Sequence, residues 1–258
     1  MVKMIDFFYQ SGTMGFYGEG YFWHKFYKFP NNFPVVSKTI TLYKNKGLPF
    51  TILPLGDSVW NKYGLHNDGM GMWLKKYADY VERKYYKQID ICSISGSFPE
   101  LSSMIHTLSK YYNIRALEIN LSCPNSNTDY DDIDLEKLFS KMDNLTDLTI
   151  YLKVRYDFDV ERIKGLPVKR IHLNSVPGRY IGSWSGKKAQ ELNWGFIENY
   201  QGKPDIPEIA GVSWVRRGDI HKLFDMGCKT FGIGSVILTN PKLVESLNFF
   251  RKSLYFNC

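Results

Sequence analysis

Short apolar stretches and longer amphipathic ones alternate along most of this chain. Met4–Tyr9, Phe33–Lys38, Ile89–Ile94, Ala116–Leu121, Leu148–Val154, Arg170–Asn174, Pro207–Gly211 and Thr230–Gly234 are short and apolar or β-branched, the composition that favours strands. Between them, apolar residues at helical spacing predict helices over Gly71–Lys84, Glu100–Tyr111, Leu135–Met142, Lys187–Tyr200, Asp219–Met226 and Pro241–Arg251. Phe98-Pro99-Glu100 is a good opening for the second, with proline near the first turn and an acid beside it. Alternation of strand and helix implies parallel β-α units. Eight strands and a final helix predict a single α/β domain over residues 1–258, a closed (β/α)8 TIM barrel. Thr41–Leu55 breaks the alternation and is expected to form a hairpin.

A barrel gathers its chemistry where the strands end, at its C-terminal face. Lys38 ends the second predicted strand, Ser95 follows the third, Asn120 and Lys153 lie near the ends of the fourth and fifth, and Asn174-Ser175 ends the sixth. Five polar strand ends carrying lysines and asparagines fill a core poorly and suit a ligand cage. On the sixth strand, Ile171 and Leu173 are expected to face the helices while His172 and Asn174 point inward. Gly211 follows the seventh strand and Gly232-Ile233-Gly234-Ser235 overlaps the eighth, positions from which loops turn N–H groups toward a phosphate. In Leu117–Asn125, LEINLSCPN, three apolar residues alternate with Glu118, Asn120 and Ser122 before Cys123. The residues alone leave Cys123 as a buried small hydrophobe, a metal ligand or a reactive thiol.

Composition narrows the class. A hydrophobic content of 44% over 258 residues supplies a substantial core. The start, MVKMIDFFYQSG, lacks the apolar region of a signal peptide, and no apolar run approaches a membrane span. A soluble, cytoplasmic protein without a membrane partner is expected. The four cysteines form no C-x-x-C pair and the five histidines no metalloprotease pair, so no metal is expected. A net charge of +7 leaves nucleic acid or an anionic ligand open. The densest basic run, Arg83–Lys87, reads as a solvated helix end.

Taken together, these residues resemble the dihydroorotate dehydrogenase family, FMN enzymes of pyrimidine biosynthesis. Asn120-Leu-Ser-Cys-Pro-Asn125 is similar to the family's strand-four motif. Ser11-Gly12 resembles its flavin-contacting turn, and Ser37-Lys38-Thr39 the turn whose lysine touches flavin and substrate. Asn61-Lys-Tyr-Gly-Leu-His-Asn67 matches the Asn-x-x-Gly-Leu-x-Asn substrate loop. Ser93–Gly96, Leu152–Val154 and Asn174-Ser175 follow in order. The cysteine, Gly47-Leu-Pro and Asn174–Arg179 look like class 1, and most like class 1A, whose members are soluble homodimers that use fumarate as electron acceptor.

The resemblance implies oxidation of dihydroorotate to orotate. Cys123 would take the C5 proton as general base, and FMN would take the C6 hydride. A free thiol titrates at about 8.5, so a modest shift serves near neutrality. Substrate contacts are implied for Lys38, Asn61, Gly64, Leu65, Asn120, Asn125, Asn174 and Ser175. Amides match both donor and acceptor edges of a ring such as orotate. FMN contacts are implied for Ser11, Gly12, Lys38, Thr39, Asn120, Lys153, Gly186, Gly211, Gly234 and Ser235. Lys153 would sit by the flavin edge that gains negative charge on reduction.

Two features depart from the family. It usually has Gly-x-Gly-Gly after strand seven, where this chain has Gly211-Val212-Ser213-Trp214. Losing two glycines narrows the phosphate pocket or strains the backbone. The strand-six loop at Gly182–Gly186 is shortened and carries Trp184. Two rival readings stand beside the first. A tRNA dihydrouridine synthase is also an FMN barrel with an Asn-x-x-Cys-Pro motif, but Asn125 and the Asn61–Asn67 loop belong to the orotate site, so no nucleic-acid partner is expected. The other rival is a flavin-free barrel that binds without catalysing.

Overall fold

A computed structural model describes residues 5–47, 52–62, 64–83, 89–111, 114, 116–122, 133–142, 148–178 and 182–247. In chain order its first elements are β1 (Asp6–Tyr9), a 3-10 helix (Phe22–Phe26), β2 (Ile52–Leu55), β3 (Ser58–Asn61) and α1 (Met70–Arg83). There follow β4 (Cys92–Ile94), α2 (Phe98–Leu108), β5 (Ala116–Asn120), α3 (Leu135–Met142), β6 (Thr149–Val154) and β7 (Val168–Leu173). The chain continues through β8 (Val176–Pro177), β9 (Ser183–Gly186), α4 (Gln190–Tyr200) and β10 (Glu208–Ile209). It ends with α5 (Arg217–Asp225), β11 (Thr230–Ile233), α6 (Val236–Thr239) and α7 (Pro241–Glu245).

Five strands form a parallel sheet in the order β10-β7-β6-β5-β4, and β1 pairs in parallel with β11. Single parallel bridges lie between the two sets: Tyr9 with Val35, Val36 with Ile91, and Gly211 with Phe231. The expected second strand, Phe33–Lys38, therefore appears only as isolated bridges. Side chains have taken its ladder positions. Asp90 accepts the Val35 N–H at 2.8 Å, and Ser37 Oγ accepts the Ser93 N–H at 2.9 Å. The seventh strand is likewise shorter than Pro207–Gly211.

Period-two alternation decides which side chains go where. On β5, β6 and β7, Leu117, Ile119, Leu152 and Ile171 are fully buried in the apolar core. Glu118, Lys153 and His172 come from the alternate positions and are buried too. A sheet buried on both faces must give such polar groups partners, and the site is built from those partners.

The helices follow the apolar periodicity closely, and α3 has the predicted bounds. Helix α2 begins two residues before its predicted start because Glu100 Oε2 accepts the Ser97 N–H at 2.7 Å, satisfying an orphan donor of the first turn. Helix α7 is described over Pro241–Glu245, and residues beyond 247 lie outside the described set.

The hairpin expected at Thr41–Leu55 is displaced along the chain. The turn at Gly56, with φ 59°, joins β2 to β3 instead, so only the first strand falls in the expected range. Pairing of β3 with β9, and β9 with β8, completes a four-stranded antiparallel sheet.

Candidate active site

A cavity of about 890 Å³ collects the predicted strand ends and loops. Ser11 and Gly12 reach it from the turn after β1, and Lys38 and Thr39 from the extended segment behind Val36. Asn61, Gly64 and Leu65 line it from the β3–α1 connection, and Asn120 and Lys153 from the ends of β5 and β6. Asn174 and Ser175 follow β7, while Gly186, Gly234 and Ser235 form the remaining wall. Cys123 and Asn125 lie outside the described residues.

Gly211 departs from expectation. It does not line the cavity, because its N–H donates to the Thr230 carbonyl at 2.8 Å and its carbonyl accepts from Gly232 at 2.9 Å. A ladder amide so committed has no N–H left for a phosphate. Ser95 also stays off the wall, donating to the Asn120 carbonyl at 2.8 Å.

The asparagines brace the strand ends. Asn120 Nδ2 donates to Thr39 Oγ1 at 3.1 Å, and its oxygen accepts from the Ser122 N–H at 3.2 Å. Ser122 Oγ donates to the Lys153 carbonyl at 3.0 Å, and Asn174 Nδ2 donates to the Ser122 carbonyl at 3.1 Å. Ser122, the residue before Cys123, is thus tied to β5, β6 and the end of β7.

Hydroxyls link the cavity to a charged pair beneath it. Ser11 Oγ lies 3.0 Å from Thr39 Oγ1, which lies 2.9 Å from Ser93 Oγ. Ser93 donates to Glu118 Oε1 at 2.7 Å, and His172 Nδ1 meets Glu118 Oε2 at 2.6 Å. His172 is stacked between Phe8 and Tyr151, at centroid distances of 4.5 and 5.2 Å. Burial raises the Glu118 pKa, but Lys153's charge and the bonds from His172 and Ser93 outweigh it and hold the carboxyl below its ordinary value. Burial, with the charges of Arg170 and Lys153, lowers His172 more than Glu118 raises it. The pair is therefore a carboxylate with a neutral imidazole donating through Nδ1, and Nε2 has no hydrogen-bond partner among the described residues.

The altered glycine segment is strained rather than closed. Ser213 holds φ 62°, the left-handed conformation that a glycine would adopt freely. Its hydroxyl accepts from Asn193 Nδ2 at 2.9 Å and its carbonyl from Gln190 Nε2 at 3.0 Å. Trp214 is 1% exposed and donates to the Gly232 carbonyl at 2.8 Å. Val212, Ser213 and Trp214 all border the cavity.

Sequence reasoning missed several neighbours of the site, three of which bear on its chemistry. The Gln10 side chain lies across Gly232 and Gly234, and a methyl group at either position would overlap it. Glu19 and Phe16 line the wall beside Lys38, and the Phe16 ring lies 4.7 Å from the Lys38 ammonium. Glu118 was legible, as an acid in an apolar strand on the same face as Asn120. Gln10 and Glu19 carry no such signal.

Could such a wall hold FMN? The volume falls in the usual range for a small-molecule or cofactor site. Gly186 borders the cavity, but its glycine is demanded by the fold itself: φ is 74° and a Cβ there would come within 2.4 Å of the Asp57 carbonyl. Lys38 and Lys153 supply positive charge for anionic edges. The volume and the two lysines suit the group, while the Gln10 side chain covers Gly232 and Gly234.

Fold and cavity define an α/β protein with a parallel sheet and a lysine- and asparagine-lined site at its strand ends. A family profile described as dihydroorotate dehydrogenase matches residues 8–163. The dihydroorotate dehydrogenase A (fumarate) of Lacticaseibacillus paracasei is 38% identical over 117 residues, 45% of this chain and 39% of that protein. A dihydroorotate dehydrogenase B (NAD(+)) catalytic subunit from Streptococcus pneumoniae is 32% identical over 117 residues, 45% of this chain and 36% of that protein. These two matches thus span less than two-fifths of the relatives' own length. The corresponding catalytic subunit from Carboxydothermus hydrogenoformans is 30% identical over 266 residues, covering 92% of this chain and 84% of that protein. The chain belongs to the dihydroorotate dehydrogenase family. Among solved structures, a mutant tryptophan synthase α-subunit from Pyrococcus furiosus aligns over 71% of this chain and 69% of its own, with 11% identity and a TM-score of 0.41.

Proposed function

We propose that this protein oxidises dihydroorotate to orotate with FMN, in a single domain whose parallel strands close into a (β/α)8 barrel. The observation that carries the reading is convergence. Segments scattered from Ser11 to Ser235, each similar to a family motif, border one cavity. The bridges at Tyr9, Val36 and Gly211 support closure, since they join the β1–β11 pair to both edges of the five-stranded sheet.

Lys38 and Lys153 would hold the anionic edges of substrate and cofactor, and Ser11, Gly12 and Thr39 would border the flavin. Gly186, Gly234 and Ser235 would receive its phosphate. FMN, when bound, supplies the hydride acceptor. Asn61, Asn120, Asn125 and Asn174 orient the substrate ring, with Gly64, Leu65 and Ser175 shaping its pocket. Cys123 takes the C5 proton.

Fumarate is the proposed oxidant, a word that the Lacticaseibacillus relative's name carries, and a cytoplasmic class 1A-like homodimer the proposed form. Among the described residues no helix is long and apolar enough to cross a membrane, and no group of acids, cysteines and histidines could hold a metal.

An anaerobic absorbance titration tests this. Dihydroorotate should bleach the bound flavin and fumarate should restore it. Reduction by NADPH with activity on tRNA, and no bleaching by dihydroorotate, would select dihydrouridine synthase chemistry. The position of Gln10 against Gly232 and Gly234 favours a second reading, a barrel without flavin. A protein that shows no bound-flavin spectrum after reconstitution would support that reading. Cys123→Ser should keep flavin and orotate while slowing flavin reduction, most severely near neutral pH. Unchanged kinetics would remove Cys123 from the role.

A further inference from the structure

Among the described residues that line the cavity, Glu19 is the sole carboxylate. It does not point at random. Glu19 Oε1 accepts the Phe16 N–H at 3.1 Å and Oε2 accepts the Tyr17 N–H at 2.6 Å. Gly15 makes this clasp possible, because its φ is 80° and a side chain there would overlap the carboxylate. The turn so formed grips Lys38 twice. The Lys38 N–H donates to the Gly15 carbonyl at 2.9 Å, and the Lys38 ammonium sits over the Phe16 ring at 4.7 Å. Trp73 Nε1 donates to the Phe16 carbonyl at 3.0 Å and ties the turn to α1.

From this geometry we infer that Glu19 is a positioning residue for Lys38. It folds the Gly12–Gly20 turn around the lysine and keeps the ammonium charged, so that the cavity's hold on an anionic ligand follows the charge of Lys38. The electrostatics agree. Burial lowers the Lys38 pKa to about 8, and the Glu19 charge opposes that fall. The other titratable groups on the described wall are Lys153, His66 and Tyr21. None of them is a carboxylate, so Glu19 is the counter-charge on that wall.

The inference rests on the proposed function only in taking orotate as a probe. Lys38 is titrated first without ligand, by NMR of the 13C-dimethylated lysines, with Lys38→Met identifying its signal. The native protein should titrate near 8. Glu19→Gln should titrate about one pH unit lower, and Glu19→Asp, which keeps the charge, should stay near the native value. Orotate affinity is then followed against pH. A one-unit fall leaves Glu19→Gln about fivefold weaker at pH 8 and within about twofold of native at pH 6.5, where Lys38 is protonated in both. Unchanged Lys38 titration in Glu19→Gln overturns the inference, as does a loss of affinity equal at every pH, the mark of a merely structural residue. If the native protein binds no orotate at any pH, the functional reading fails, and the ligand-free titration still decides the role of Glu19.

Discussion

His172 Nδ1 and Glu118 Oε2 lie 2.6 Å apart, and each side chain is 1% exposed. A buried carboxylate is tolerated only when its oxygens are satisfied and its charge is balanced. Ser93 satisfies one oxygen, His172 the other, and Lys153 supplies the charge. Replacing the imidazole by a phenyl ring keeps a flat ring between Phe8 and Tyr151 but removes the donor. His172→Phe should lose about 2–3 kcal/mol in urea unfolding at pH 7.

The same pair sets a pH dependence with a defined sign. His172 titrates lower in the fold than its ordinary 6.5. Below about 6.5 the unfolded chain therefore binds the extra proton first, and stability falls as pH drops toward the folded value. Glu118 is also depressed, below its ordinary 4.5. Its contribution is present above that value and is lost as pH falls through the folded pKa. Urea midpoints between pH 7 and 5 should fall more steeply for the native protein than for His172→Phe. Parallel profiles would show that His172 is not neutral in the fold.

Ser213 tests what the missing glycine costs. The left-handed conformation is unfavourable by about 1 kcal/mol for a residue with a Cβ. Ser213→Ala keeps that strain and loses the hydroxyl that accepts from Asn193, a change of about 1–2 kcal/mol. Ser213→Gly loses the same bond but relaxes the backbone, so it should be more stable than Ser213→Ala by about 1 kcal/mol. Equal stabilities would mean that the strain is relieved elsewhere in the turn.

Asn67 staples the loop that presents Gly64 and Leu65. Its oxygen accepts from the Gly69 N–H at 2.8 Å, while its amide donates to Thr41 Oγ1 at 2.9 Å and to the Leu65 carbonyl at 2.5 Å. Asn67→Ala should cost about 2–3 kcal/mol by leaving buried groups unpaired, and should weaken orotate binding in parallel. Binding that stays at the native level would show that the loop holds its shape through the Asn45–Asn67 backbone pair alone.

Much of this site could be read from the sequence because polar residues at the ends of apolar strands are conspicuous. Lys38, Asn120, Lys153 and Asn174 were found that way, and all reach the cavity. Gly211 was misread because a glycine's sequence position does not reveal that its N–H is already bonded to Thr230. The second strand was overestimated for a related reason. Its apolar residues fit the pattern, but Asp90 and Ser37 replace ladder partners by contacts 55 and 56 residues apart in the chain. Glu19 was invisible because its role depends on a turn of positive-φ glycines that brings its carboxylate onto neighbouring backbone.

Gln10 makes the sharpest test of the flavin site. Its backbone is fixed on both sides, by donation to the Ile233 carbonyl at 3.0 Å and by Thr13 Oγ1 donating to its carbonyl at 2.6 Å. Only the side chain is free to choose a direction, and it lies along Gly232, where an added Cβ would come within 2.8 Å of it. The open space over Gly232 and Gly234 is thus occupied by Gln10. In the proposed site the carboxamide would compete with the FMN phosphate for the space over Gly234. Gln10→Ala removes that competition and should tighten FMN binding about threefold to tenfold, equivalent to about 1 kcal/mol. Titrating the deflavinated protein with FMN, followed by quenching of flavin fluorescence, measures it. Gln10→Glu should weaken binding instead, by setting a carboxylate beside the phosphate. If Gln10→Ala binds more weakly than native, the carboxamide is a phosphate donor, and the glycines beneath it are part of the same cradle.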